Sequence, residues 1–242
     1  MFEIACVVDK GNTLHSNDDR ALINGHVVEQ GEYSCFGEIV QAVVCDGVGG
    51  EKYGNEAAQA AVEHFASVFP CEYEIEKIED EIKEANKKIL FLQRKDQSHF
   101  RMATTIAGAF LKDNDIIAFN VGDTRIYRYR PPYIAQLSTD HSLIEELKKI
   151  GLSVQPEQEH VITRFLGGNK GIPDFYSGNN KVFESDSFLI CSDGVSDVLD
   201  EMELETIMEE KINALDICRL LIKTAKNKGS EDNMTAIIIR RI

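Results

Sequence analysis

What this sequence of 242 residues lacks narrows its class before any motif is read. Its six cysteines, Cys6, Cys35, Cys45, Cys71, Cys191 and Cys218, contain no C-x-x-C pair, which removes zinc-ribbon spacing. Several sit inside apolar runs, where a thiol behaves as a small hydrophobe, so reduced cysteines and a cytoplasmic setting are expected. No apolar run approaches the ~20 residues of a membrane span. The opening stretch MFEIACVVDKG is too short in apolar length and too acidic for a secretory leader. Positive charge is scarce: 26 basic residues face 41 acidic ones, a net charge of -15. That argues against nucleic acid or an anionic membrane as partner. It is compatible with cation binding, although solubility alone accounts for it. Linkers, low-complexity stretches and internal repeats are also missing, so residues 1–242 read as one domain.

What is present is a core-forming chain, 43% hydrophobic and 28% charged. Phe2 to Val8 reads as a strand. Residues 21–23 and 26–28 form a predicted hairpin, because Asn24-Gly25 tolerates the positive φ angles of a type I′ turn. Glu38 to Cys45 is the next strand, and alanine-rich residues 51–69 a buried helix. Ile75, Ile78, Ile82, Ala85, Ile89 and Leu92 recur three and four apart, the stripe of a core-facing helix. Strands are then predicted over 104–111, 116–121, 124–130 and 133–137, followed by a short helix over 141–150. Polar residues 152–160 read as a loop. Further strands are expected at 161–165, through Val182-Phe183, at 188–191 and at 235–240, with two helical stretches inside 203–226. Strands and helices occur in separate blocks, pointing to α+β layers rather than a doubly wound parallel sheet.

Acidic residues cluster at the predicted strand ends. Asp18 and Asp19 stand in HSNDDR, Asp46 in VVCDGVGG, Asp123 in VGDTR, Asp193 in LICSDGV and Asp232 in GSEDNMT. An unpaired carboxylate inside a sheet is costly, but several at strand ends can share one cleft. Neighbouring carboxylates raise one another's pKa unless a cation sits among them. Oxygen donors without histidine or cysteine favour Mg²⁺ or Mn²⁺ over zinc. A glycine after Asp46 lets backbone approach closely, with its carbonyl free to act as a donor. Two such ions would activate water for in-line attack on phosphorus.

These segments, with DKGNTLHSNDDR, MATTIAGAFL, LSTDHSL and ITRFLGG, occur in one order from Asp9 to about Ile239. In that order the chain resembles the metal-dependent serine/threonine protein phosphatases of the protein phosphatase 2C family, compact bacterial type. The resemblance implies a four-layer αββα sandwich, two antiparallel sheets flanked by helix pairs, with a dinuclear centre at one end. It implies Mn²⁺ or Mg²⁺ as cofactor, two ions with room for a third. Asp46 resembles the carboxylate shared by both. Asp18 and the Gly47 carbonyl would complete one set, and Asp193 and Asp232 the other. Asp19 would order water, and Asp123 with Asp193 would form the third position. Catalysis would then rest on Asp19, Asp46 and Asp193. The implied substrate is a phosphorylated protein, with a cognate serine/threonine kinase as partner and a monomer as the working form.

Two positions depart from the family pattern. Leu14 stands where an Arg commonly clamps phosphate, and a leucine makes no charge-assisted bond to it; His15 and Arg20 are the nearby substitutes. Val48 follows Asp46-Gly47 where some members have His. His141 is expected to be structural, opening a helix with Asp140 as its cap. Arg125 is expected to pair with a carboxylate, and Thr104-Thr105 to pack near the site. No C-x₅-R signature of cysteine phosphatases is present. The alternative readings are a weakly active or regulatory metal-binding domain and a small-molecule phosphomonoesterase.

Overall fold

Asn24 and Gly25 adopt φ angles of 47° and 81°. In the computed structural model they close the hairpin between β2 (Asp19–Ile23) and β3 (His26–Val28). The structure describes residues 1–12, 16–48, 53–70, 74–151, 161–168, 174–175 and 181–242. The outer strand β3 is followed by β4 (Gly31–Gly37), whose side chains alternate between half-buried and exposed. That strand was not legible beforehand: glycine at both ends and mixed polarity mask its period of two.

Twelve strands are described, in two antiparallel sheets of six. The first runs β4, β1 (Phe2–Asp9), β12 (Met234–Arg241), β11 (Ser187–Cys191), β8 (Arg125–Arg130), β9 (Tyr133–Gln136). The second runs β10 (Asp174–Phe175), β7 (Asp115–Val121), β6 (Ile106–Lys112), β5 (Ile39–Asp46), β2, β3. Chain ends meet in the middle of the first sheet, where β1 pairs with β12 from Phe2↔Arg241 to Asp9↔Met234. The strands expected at 161–165 and around 182–183 shrink to single bridges, Ser142↔Ile162 and Asp115↔Lys181. Those stretches carry too few ladder partners to propagate a strand.

Inward-facing residues such as Ile4, Cys6, Val44, Ile190 and Ile237 fill the space between the sheets. The outer face of the second sheet is covered by α1 (Gly54–Ser67) and α2 (Ile75–Lys95). In α2 the expected stripe holds at Ile78, Ile82, Ala85 and Ile89, all fully buried, while Ile75 at the first turn is exposed. Each such isoleucine contributes about 1.5–3 kcal/mol by leaving water. Over the first sheet lie the short α4 (Asp193–Ser196), α5 (Glu201–Met208) and α6 (Ala214–Asn227). The capping box of α5 pairs the Asp200 side chain with the Glu203 N–H and the Glu203 side chain with the Asp200 N–H. The remaining α3 (Leu143–Lys149) is capped by Ser142 rather than by the expected Asp140. The layers are therefore αββα. Among the described residues no helix is long and apolar enough to cross a membrane.

Candidate metal centre

Both Asp-Gly steps are places where backbone meets backbone. A Cβ on Gly47 would lie 2.4 Å from the carbonyl carbon of Gly54, the first residue of α1. A Cβ on Gly194 would lie 2.0 Å from the Asn233 carbonyl oxygen. Neither clash can be relieved by rotating a side chain, so glycine is required at both for packing. Asp46 is thereby pinned against the start of α1, and Asp193 against the turn that leads into β12.

The neighbours of Asp46 hold it further. Its backbone N–H donates to Thr105 Oγ1 at 3.1 Å, and its carbonyl accepts from Thr104 Oγ1 at 2.8 Å. The threonine pair expected to pack near the site therefore fixes the main chain of Asp46. Asp19 stands directly opposite Asp46 in the β2–β5 ladder. The Gly47 N–H donates to the Asp18 carbonyl at 3.1 Å. The Asp18 N–H in turn donates to Asn233 Oδ1 at 2.8 Å, and Asn233 Nδ2 donates to the Lys10 carbonyl at 2.9 Å. Asn233 thus ties the Asp232 turn of one sheet to Asp18 of the other. Ser192 does the same for Asp19, donating from Oγ to Asp19 Oδ2 at 2.7 Å. Both residues were missed in the sequence. The only signal was adjacency, since each is next to an acidic residue, in CSDG and EDNMT.

The carboxylates feel one another. Burial, then the charges of Asp193, Asp19, Asp123 and Asp232, hold the Asp46 carboxyl well above the usual carboxylate range. Burial, then Asp123, Asp232, Asp197 and Asp19, do the same to Asp193. Asp19 is pushed up to about 6 by burial, with the Ser192 and Thr235 hydroxyls opposing the rise and Asp232 and Asp18 adding to it. Asp123 is also pushed up to about 6, by burial and then by Asp140 and Asp197. Such mutual repulsion requires closeness, so the structure brings Asp18, Asp19, Asp46, Asp123, Asp193 and Asp232 to one rim. A cleft of about 570 Å³ opens there, lined by Asp193, Asp197, Glu231 and Asp232 among others.

A divalent ion suits this rim, because it would offset the like-charge repulsion that the fold builds in. Asp19 Oδ1 is buried and accepts no hydrogen bond of normal geometry among the described residues, with the Thr235 hydroxyl, likewise without one, beside the carboxyl group; a water on an ion would serve that oxygen as well. No three histidine, cysteine or carboxylate side chains among the described residues close around one point by themselves. The carboxylates stand near one another without closing around a point, so a hard divalent ion there would complete its coordination with waters.

The other polar residues near the rim are engaged. Arg20 donates to Gln59 Oε1 at 2.7 Å and to the carbonyls of Asn17 and Asp19, so its guanidinium holds the Asp18–Asp19 turn from behind. Arg125 pairs with Asp140 at 2.7 Å, as expected, and donates to the Ser196 carbonyl at the end of α4. His141 is buried, and its Nδ1 accepts the Gly122 N–H at 3.0 Å, bracing the turn that carries Asp123. Leu14, His15 and the 152–160 loop lie outside the described residues.

The chain is similar in sequence and in fold to known proteins. The serine/threonine phosphatase stp of Listeria monocytogenes serotype 4b (strain F2365) is 29% identical over 247 residues, covering 96% of this chain and 93% of the relative. The S. agalactiae serine/threonine phosphatase structure has 27% identity and a TM-score of 0.85, with 100% of both chains covered. The catalytic domain of the protein phosphatase PstP in complex with 2 manganese ions shares the fold, with a TM-score of 0.82, 21% identity and 99% of each chain covered. The model of the protein phosphatase 2C family matches residues 33–228, a span that holds Asp46, Asp123 and Asp193. A match over that much of the sequence, on the four-layer fold just described, means that the chain belongs to the protein phosphatase 2C family.

Proposed function

We infer that this chain is a metal-dependent phosphatase of phosphoserine and phosphothreonine in proteins. The observation that carries the reading is the rim itself, where Asp19 stands opposite Asp46 and hydrogen bonds made by Ser192 and Asn233 join the acidic residues of the two sheets. Asp46 is proposed as the carboxylate common to two ions, Mn²⁺ or Mg²⁺. Asp18 and the Gly47 carbonyl serve one, and Asp193 and Asp232 the other. Asp123 with Asp193 offers a third position, and Asp19 accepts a hydrogen bond from water at the centre. When bound, the ions supply Lewis acidity and lower the pKa of water, making a nucleophile at neutral pH.

The chain's own part is to bind and orient. Glycine packing and the Thr104–Thr105 clamp hold Asp46, and the Asn233 and Ser192 bonds hold the two sheets in register at the rim. Val48 has no side-chain proton to give, and the His141 Nδ1 is occupied in accepting the Gly122 N–H. Arg20 is committed to internal partners, so it is not the phosphate clamp. The shared core between the sheets supports reading residues 1–242 as one catalytic domain. The five described cysteines are free thiols, which supports a reducing, cytoplasmic setting. A serine/threonine kinase acting on the same proteins is the proposed counterpart, with a monomer as the active form.

The test is phosphate release from a phosphothreonine peptide. The metal-free protein in chelator is expected to be inactive, and added Mn²⁺ to restore turnover. Full turnover in chelator by protein shown to be metal-free overturns the reading.

A further inference from the structure

Ser192 is fully buried between the last residue of β11 and the first of α4. Its hydroxyl has one proton and must divide its bonding accordingly. Oγ accepts the Thr235 N–H at 2.9 Å, and a donor on that side leaves the hydroxyl proton for Asp19 Oδ2 at 2.7 Å. The bond spans 173 positions of sequence and joins the first sheet to the second at the carboxylate rim. With Oδ2 anchored, the Asp19 carboxyl group cannot turn freely about its bond to the chain. Its Oδ1 is buried and makes no hydrogen bond of normal geometry among the described residues, with the equally buried Thr235 side chain beside the carboxyl group. A buried carboxylate oxygen with no well-aligned donor has room for a further one.

We propose that Ser192 is a positioning residue of the metal centre, anchoring one oxygen of Asp19 so that the other is presented to water held by the ions. The proposal rests on the metal-centre reading above. Ser192 neither touches substrate nor holds an ion; it acts through Asp19. Residues that orient a metal's surroundings from one step back commonly cost about 10–100-fold in affinity or activity when removed.

The experiment titrates Mn²⁺ by calorimetry into the metal-free full chain, comparing wild type with Ser192→Ala, Ser192→Thr and Asp46→Asn. Urea midpoints in chelator are measured alongside. Ser192→Ala should bind Mn²⁺ about tenfold more weakly. Ser192→Thr, which keeps the hydroxyl, should stay within about threefold of wild type, since the bond to Asp19 survives. If Ser192→Ala does not fold, Ser192→Cys fills the position with a weaker donor and should fall between Ala and Thr. A shifted urea midpoint with unchanged Mn²⁺ affinity would show a purely structural serine and overturn the proposal. So would Ser192→Thr binding as weakly as Ser192→Ala. In either case wild-type binding that is lost in Asp46→Asn leaves the metal centre standing. Wild-type protein that takes up no Mn²⁺ overturns the centre itself, and this proposal with it.

Discussion

At the scale of single residues, the rim stores repulsion that an ion or a proton can relieve. Asp19 and Asp123 are raised to about 6, and Asp46 and Asp193 are also held well above the usual carboxylate range, the rise in each case coming from burial first and neighbouring charge second. In the unfolded chain the same groups titrate near about 4. A carboxyl group raised on folding binds its proton more tightly in the native state. Its contribution is fully present below about 4 and is lost as pH rises through about 6. Metal-free protein should therefore melt higher at pH 5.5 than at pH 7.5. His64 works in the opposite sense, because burial depresses its pKa, but it is one group against four. Melting in chelator at both pH values checks the sign, and a lower melting temperature at pH 5.5 would refute it. Asp46→Asn removes one of the repelling charges. The metal-free variant is expected to be at least as stable as wild type in urea, yet to lose most Mn²⁺-dependent turnover. A variant that keeps near-normal turnover would remove Asp46 from its central place.

At the scale of elements, α2 shows what periodicity can and cannot reveal. The positions Ile78, Ile82, Ala85 and Ile89 were readable because a core-facing helix repeats every 3.6 residues. Ile82 lies against the second sheet in the cluster that includes Ile78 and Phe65. Replacing it with alanine should cost about 2–5 kcal/mol, measured as a lower urea midpoint. A change below about 1 kcal/mol would mean that the helix repacks without loss. The β4 strand went unread because glycine at both ends and alternating exposure give it little hydrophobic contrast. The helix cap at Ser142 went unread because Asp140, also a plausible cap, is drawn away to Arg125. Local propensity offered two acceptors, and a distant arginine chose between them.

At the scale of the whole molecule, the proposed centre would couple folding to metal. The donors proposed for it come from both sheets, so the unfolded chain would have no preformed site and an ion would bind chiefly the native state. Mn²⁺ at a hundredfold excess over its Kd should add about 2.7 kcal/mol for one site. For a domain of this size that is roughly 5–10 °C in Tm. Scanning calorimetry with Mn²⁺ and with chelator reads the difference directly. An unchanged Tm at saturating Mn²⁺ would separate the carboxylate rim from metal binding.

The sequence by itself determined most of the elements, because periods of two and 3.6 and the Asn24-Gly25 turn are local properties, while the αββα order of the layers came from the resemblance to the protein phosphatase 2C family. It also determined which carboxylates stand at strand ends, since Asp-Gly steps and short apolar runs are contiguous. What only the tertiary structure decided is which groups meet across the gap between the sheets. Ser192 reaches Asp19, and Asn233 reaches Asp18, over 173 and 215 residues of chain. Gly194 is glycine because the Asn233 carbonyl lies against it. Arg20, a candidate phosphate ligand by position, is committed to Gln59 and to its own turn. Each of these outcomes depends on a hydrogen bond or a contact between segments far apart in sequence. No local pattern carries that information, because such pairings exist only once the two sheets have packed.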